Sequence, residues 1–227
     1  MQLADPEGFK KSEEAVSGAS AQIAELPFTN VLTHLQRTGV TVPQLHYYDR
    51  EAGLLYLEDF GDLTLAEACR DADRDRLVAL YRQAIDQLVL FQVKGTQPPA
   101  PGCIAFHRRF DVPLLMWEFD HFLEYGIAAR LGQPMKPADD AAVRATFQRI
   151  AELLAGQPQV FVHRDYHSRN LMVDGARLGI IDFQDALMGP ATYDLASLLK
   201  DAYIELDDAV VDGLVDHFLD GLAAHGQ

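Results

Sequence analysis

The sequence predicts an α+β fold that is mostly helical, and three observations carry that reading. Apolar residues recur at three- and four-residue steps through the middle and the end of the chain, as they do on helices with one buried face. Two regions, residues 40–57 and 160–181, instead hold short β-prone runs joined by turn-forming residues. At 227 residues, with 48% hydrophobic and 23% charged, the chain is long enough for one large core. Its composition is that of a globular protein and not of a coiled coil, a collagen-like repeat or a disordered chain.

Residues 1–26 are polar and small with no sustained apolar period, so a loosely ordered leader is expected there. Pro27 suits a helix start, Val31, Leu32 and Leu35 lie on one side of that helix, and Gly39 is placed to end it. Residues 40–48 and 54–57 read as a hairpin across the turn 49–53. Thr64 and Glu67 have the spacing of a capping box and predict a helix start. Leu77, Leu80, Tyr81, Ala84, Leu88 and Phe91 form one helical face, and the stretch from Gly95 to Gly102, with three prolines, reads as a loop. Residues 114–129 are helix-compatible and aromatic-rich; Val143, Phe147, Ile150 and Leu154 form a second stripe after Asp139 and Asp140. Then the period changes. Residues 160–162, 171–173 and 178–181 read as strands, with Asp174-Gly175 as a turn. Two helices close the chain, one through Tyr193, Leu195, Leu198 and Leu199 and one through Val210, Leu214, Phe218 and Leu222.

Charge narrows the partners. Nineteen basic against 34 acidic side chains give −15, which repels nucleic-acid phosphates and anionic lipid. No run approaches the roughly 18 apolar residues of a membrane span, and the first residues lack the apolar core of a secretory signal, so a cytoplasmic protein without a membrane or nucleic-acid partner is expected. Cys69 and Cys103 are far apart in sequence and indicate neither a disulfide framework nor a thiolate zinc site. The oligomeric state is left open.

The densest polar segment between apolar strands is 163–170, His-Arg-Asp-Tyr-His-Ser-Arg-Asn, followed twelve residues after Asn170 by Asp182 at the end of an apolar run. Phosphoryl transfer needs this set: a carboxylate beside the attacking hydroxyl, and hard oxygen donors that hold magnesium against the nucleotide phosphates. Asp165 is the candidate carboxylate, and Asn170 and Asp182 are the candidate magnesium ligands. Taken singly, each fits a solvated turn of Asx residues; the joint spacing favours the site. A different chemistry fits part of the pattern, since His163, Asp165 and His167 alternate along an extended segment and, with Asp182, have the types of a hydrolase metal site. That chemistry has no need of Asn170.

The pattern His163-x-Asp165-x-His167-x-x-Asn170, with Ile181-Asp182-Phe183 and Tyr193-Asp194-Leu195-Ala196 after it, resembles the aminoglycoside phosphotransferase family, whose fold is similar to that of protein kinases. The wording VFVHRDYHSRNLM and IDFQDALMGPATYDLASLL looks most like the anomeric N-acetylmuramate/N-acetylglucosamine kinases of cell-wall recycling. The resemblance implies a protein-kinase-like fold with a mostly helical large lobe over residues 62–227. It also implies a shortened small lobe and hinge over 27–61, the boundary lying near Gly61. It implies ATP and Mg2+ as cofactors, a small-molecule sugar or aminoglycoside acceptor, and transfer of the γ-phosphoryl group to a sugar hydroxyl. Backbone groups of Glu58 and Phe60 are then expected at the adenine, and His163, His167 and Asp194 as orienting residues of the loop. Glu118 and His121 are expected at the acceptor pocket and Asp185 near magnesium or sugar; a solvated helix face and a turn or cap position are the plainer readings of these three. The glycine-rich hairpin and strand lysine that such kinases place upstream of the first helix are not found here: Lys10 and Lys11 are the only lysines before Lys94. An inactive phosphotransferase acting as a binding module is the expectation of the other class.

Overall fold

The computed structural model describes residues 25–226, so the leader expected over residues 1–26 lies almost entirely outside the described residues. Pro27 opens helix α1 (Pro27–Thr38), where its missing N–H leaves no intrahelical bond unmade, and Gly39 ends it at φ 82°. Val31, Leu32 and Leu35 are buried on one face. Asn30 and His34 fasten α1 to the chain beyond: Asn30 Nδ2 donates to Gly102 O (2.9 Å), Asn30 Oδ1 accepts from Ile104 N (2.8 Å), and His34 Nε2 lies 2.7 Å from Gly95 O.

The hairpin follows as β1 (Leu45–Asp49) and β2 (Leu54–Leu57), antiparallel. Its first strand starts five residues later than the sequence suggests, because residues 40–44 are engaged elsewhere. The Thr41 N–H donates to Gln87 Oε1 (3.2 Å), its carbonyl accepts from Ile180 N (2.9 Å), and Pro43 has no N–H to offer a neighbouring strand. Thr64 forms the full capping box with Glu67 and starts α2 (Leu65–Arg70). Asp73 caps α3 (Arg74–Thr96), a 23-residue helix that buries Leu80, Tyr81, Ala84, Ile85, Leu88 and Phe91. Gly95 is still helical, and its lack of a side chain admits the Phe161 ring, which a Cβ there would meet at 3.0 Å.

A short 3-10 turn (Ile104–His107) leads to α4 (Val112–His121), which runs on through a π-helical segment (Phe122–Ala128) and one more turn (Ala129–Leu131). Helix α5 (Pro137–Ala155) packs back on it, Phe147 stacking on Phe119 at 4.3 Å between ring centroids. The expected stripe of α5 is only partly inward: Val143, Phe147 and Leu154 are half-buried, Ile150 is exposed, and Ala151 is the buried residue. Strands β3 (Gln159–Val162), β4 (Leu171–Asp174) and β5 (Arg177–Ile180) form where expected, β4 and β5 as an antiparallel hairpin turning at Gly175, φ 61°. A fourth strand, β6 (Leu187–Pro190), was not expected and pairs antiparallel with β3. Helices α6 (Thr192–Leu199) and α7 (Asp208–Ala224) close the described chain, α7 packing along α3.

One buried cluster runs without a break from Val31 and Leu35 through Leu80 and Phe91 to Leu198 and Phe218. Each fully buried Leu or Phe contributes about 1.5–3 kcal/mol. A smaller cluster, Phe110, Leu114, Leu115, Ala151, Val162 and Leu187, joins α4 and α5 to the β3–β6 pair. Cys69 and Cys103 are buried, free thiols. No helix among the described residues is long and apolar enough to cross a membrane.

Candidate active site

Strands β3 and β4 are too short and too apolar to carry the polar loop between them in any regular ladder, so its groups find partners one by one. His163 is wholly buried. Its Nε2 lies 2.9 Å from Ile181 O and its Nδ1 accepts from Asp165 N at 3.2 Å. A carbonyl oxygen can only accept and an amide N–H can only donate, so the ring is the neutral tautomer with its proton on Nε2. Burial pushes its pKa down from 6.5 to about 4. Both ring nitrogens are engaged, so His163 cannot serve as a ligand in the alternative metal site. Among the described residues no group of three or more His, Cys, Asp or Glu is arranged to hold a metal in that way.

Asp194, also wholly buried, reaches the loop from α6: its Oδ2 accepts from His163 N (2.8 Å) and its Oδ1 from Arg164 N (3.1 Å). Burial raises its pKa to about 7 against those two bonds, which pull the other way. Two non-glycine residues in the site have left-handed backbones, Arg164 at φ 80° and Asp182 at φ 65°, a conformation that costs roughly 1–2 kcal/mol per residue. Arg164 is held there by Asp194 and by its guanidinium, which pairs with Glu118 on α4 at 2.8 Å.

These anchors present Asp165 at the surface of the loop. Its carboxyl pKa lies above the ordinary value because the loop desolvates it; Asp182 and Asp185 add to the rise, and Arg164 and His167 oppose it. Asn170 Nδ2 donates to Asp165 O at 3.0 Å and lies 3.4 Å from Asp182 Oδ2, while Ile181 N donates to Asn170 O at 3.1 Å. So Asn170 bridges the backbone carbonyl of Asp165 and the carboxylate of Asp182, and the three residues converge. With the Asn170 amide nitrogen engaged, its Oδ1 and the Asp182 carboxylate are the hard oxygen donors, which fits magnesium. Gln184 Nε2 donates to Asp182 Oδ1 at 2.8 Å. His167 stands beside this group, its Nε2 3.5 Å from Asn170 Nδ2 and its ring edge-on to Tyr203.

The remaining expected residues divide. Glu118 reaches the loop through Arg164, and Asp185 lies 4.0 Å from Arg108 in the segment after Asp182. His121 is turned onto its own helix, its Nδ1 bonding Trp117 O at 3.0 Å and its ring 3.9 Å from the Trp117 ring. Among the described residues no hydrogen bond, ion pair or ring contact joins it to the 163–170 loop. Glu58 and Phe60 sit at the exit of β2, tied to β5: the Glu58 N–H bonds Gln44 O (2.8 Å), its carboxylate meets Arg177 (3.3 Å), and the buried Phe60 ring covers Gly179. Two residues at the loop escaped the sequence reading. Tyr166 OH donates to Ala84 O on α3 (2.8 Å), and Asp201 Oδ2 accepts from Ser168 N (2.9 Å). Asp201 follows a helix and caps Tyr203 N and Ile204 N, a local turn signal; its reach to Ser168 has no local signal.

A hairpin, a long central helix and a catalytic-type loop between short strands make this a protein-kinase-like phosphotransferase fold. A gentamicin complex of APH(2")-IIa superposes with TM-score 0.62 at 15% identity, covering 88% of this chain and 67% of that one. A choline/ethanolamine kinase family protein from Mesorhizobium loti does so with TM-score 0.56 at 18% identity, over 85% and 59%. The family model described as phosphotransferase enzyme family matches residues 15–226, and the chain belongs to that family. An N-acetylmuramate/N-acetylglucosamine kinase of Pseudomonas putida is 36% identical over 203 residues, 87% of this chain and 56% of the relative. The chain spans about half the length of the curated relatives it matches.

Proposed function

We propose that this chain carries the catalytic loop of a cytoplasmic, Mg-ATP-dependent kinase that phosphorylates a sugar hydroxyl, the anomeric hydroxyl of N-acetylmuramate or N-acetylglucosamine. The observation that carries the reading is the convergence of Asp165, Asn170 and Asp182, in a chain whose relatives bear those kinase names. Asp165 accepts the proton of the acceptor hydroxyl as its oxygen bonds the γ-phosphorus and the bond to the β-phosphate oxygen breaks, releasing ADP. A carboxyl pKa raised by desolvation makes Asp165 a stronger base than a solvated aspartate. Asn170 Oδ1 and Asp182 would hold magnesium, which when bound supplies positive charge against the phosphates. His163 and Asp194 keep the loop backbone in place, and His167 is an orienting residue beside Asn170. Backbone groups of Glu58 and Phe60 receive adenine, Glu118 and Asp185 border the acceptor, and the lobe boundary lies near Gly61. His121 stands on the same helix as Glu118, its ring turned against Trp117.

The test is ADP release measured with N-acetylglucosamine, N-acetylmuramate and an aminoglycoside as acceptors. Asp165→Ala is expected to lower kcat by about 100- to 10,000-fold while Mg-ATP still binds, since the base acts on the acceptor; Asp182→Asn is expected to weaken Mg-ATP binding as well. Full activity of Asp165→Ala, or no Mg-ATP binding by the folded wild-type chain, refutes the assignment.

A further inference from the structure

An anionic acceptor poses an electrostatic problem for a chain carrying −15. We infer that the cavity between α2 and residues 202–204 solves it, by holding the carboxylate of an acidic amino sugar between Arg70 and Arg169. The inference rests on the sugar-kinase reading above and names the part of the acceptor that this chain selects.

The cavity measures about 490 Å³, ample for a sugar substituent, and is lined by Thr64, Glu67, Arg70, Arg169 and Tyr203 among others. Arg169 immediately precedes Asn170, so its backbone lies about 3.8 Å from that of a proposed magnesium ligand. Its guanidinium lies over the Tyr203 ring, 3.8 Å from the centroid. Stacking on the ring uses none of the N–H donors of the fork, which leaves them to pair with a planar anion. Among the described residues neither Arg70 nor Arg169 has an ion pair or side-chain hydrogen bond, whereas Arg74, Arg144, Arg164 and Arg177 each have a carboxylate within 3.3 Å.

The nearby carboxylates are already engaged. Glu67 Oε2 accepts from Thr64 N (3.1 Å) and Thr64 Oγ1 (2.9 Å), the capping box that starts α2. Asp201 accepts from the backbone N–H groups of Ser168, Tyr203 and Ile204. Both arginines help to hold the Glu67 pKa low, after its bonds to Thr64, which places all three charges within electrostatic reach of one another. Among the residues that line the cavity, two arginines stand against the one carboxylate of Glu67, a net positive charge beside the catalytic loop. N-acetylmuramate differs from N-acetylglucosamine by a lactyl ether ending in a carboxylate, so the arginines discriminate between the two.

The test compares kcat/KM for the two sugars in the wild type, Arg70→Gln, Arg169→Gln and Arg169→Lys. Either Gln variant is expected to lower the N-acetylmuramate to N-acetylglucosamine ratio at least tenfold, chiefly through KM, with Arg169→Lys restoring part of it. An equal loss for both sugars, or a loss that appears instead in the KM for ATP, overturns the inference; the latter assigns the cavity to a nucleotide phosphate. If the wild type phosphorylates no sugar, the kinase reading fails on its own. The cavity is then read by calorimetric titration of N-acetylmuramate into the wild-type chain: binding weakened at least tenfold by Arg70→Gln supports the inference, and absence of binding overturns it.

Discussion

Replacing His163 with Gln tests how the loop is held, through the pH dependence of stability. The wild-type ring is neutral, with Nε2–H facing Ile181 O and the Nδ1 lone pair facing Asp165 N–H, so a second proton would break the latter bond inside a buried site. Its folded pKa, about 4, lies below the ordinary 6.5, mainly through burial. Between those values the unfolded chain binds more protons than the folded one, so this contribution rises with pH and is lost as pH falls from 6.5 toward 4. At 1.36 kcal/mol per pH unit the full effect is roughly 3 kcal/mol. Asp194 has the opposite sign: its folded pKa of about 7 lies above the ordinary 3.8, so its contribution falls as pH rises between the two. The two slopes oppose each other in the wild type, and removing His163 uncovers the Asp194 slope. The assay is urea unfolding of both proteins from pH 4.5 to 7.5 at matched m-values. The wild type is expected to be more stable at pH 7.5, with that advantage shrinking by roughly 3 kcal/mol at pH 4.5. A gap that does not change with pH refutes the neutral, buried histidine.

Gly179→Ala is expected to destabilise by about 1–3 kcal/mol in thermal unfolding, because its Cβ would lie 2.3 Å from Phe60 Cε2 under a buried ring. The same variant is expected to weaken Mg-ATP binding through the displaced β2 exit, measured by calorimetry. Thr64→Ala removes the capping-box acceptor for Glu67 N and is expected to cost about 1 kcal/mol, read as a shift in the urea midpoint at constant slope.

Local rules account for much of the fold. Pro27 and Gly39 mark both ends of α1, Thr64 and Glu67 start α2, and the apolar period of residues 77–91 identifies α3. What local rules could not supply was pairing at a distance. Strand β6 is Leu-Met-Gly-Pro, a poor strand sequence; it is extended because it pairs with β3 and because Gly189 lets Phe110 lie close, where a Cβ would meet the ring at 2.8 Å. Residues 40–44 look like strand but answer to Gln87 and Ile180. At the site, residue types and spacing made Asp165, Asn170 and Asp182 legible, since they lie on one loop and one strand end. The Arg164–Glu118 pair, the Asp201–Ser168 bond and the cover of Phe60 over Gly179 each join residues at least 33 apart, beyond the reach of any local pattern.

The distribution of those anchors separates two parts of the chemistry. The loop carrying Asp165 is fixed from several directions: His163 to Ile181, Asp194 to the backbone of His163 and Arg164, Arg164 to Glu118 on α4, Tyr166 to Ala84 on α3, Asp201 to Ser168, and Ala66 of α2 to Ser168 O. None of these bonds involves β1 or β2. The left-handed backbone of Arg164 persists because this scaffold over-determines it, not because the hairpin presses on it. The β2 exit bearing Glu58 and Phe60 is tied instead to β5, through Arg177 and Gly179. Strand β5 ends at Ile180, and the two parts are joined at Ile181, whose carbonyl faces His163 Nε2 and whose N–H donates to Asn170 O, one residue before the proposed magnesium ligand Asp182. The backbone that presents the proposed base is thus held without β1 or β2, by α3, α6, Asp201 and the exit of β5, whereas the proposed adenine contacts at Glu58 and Phe60 depend on the hairpin exit.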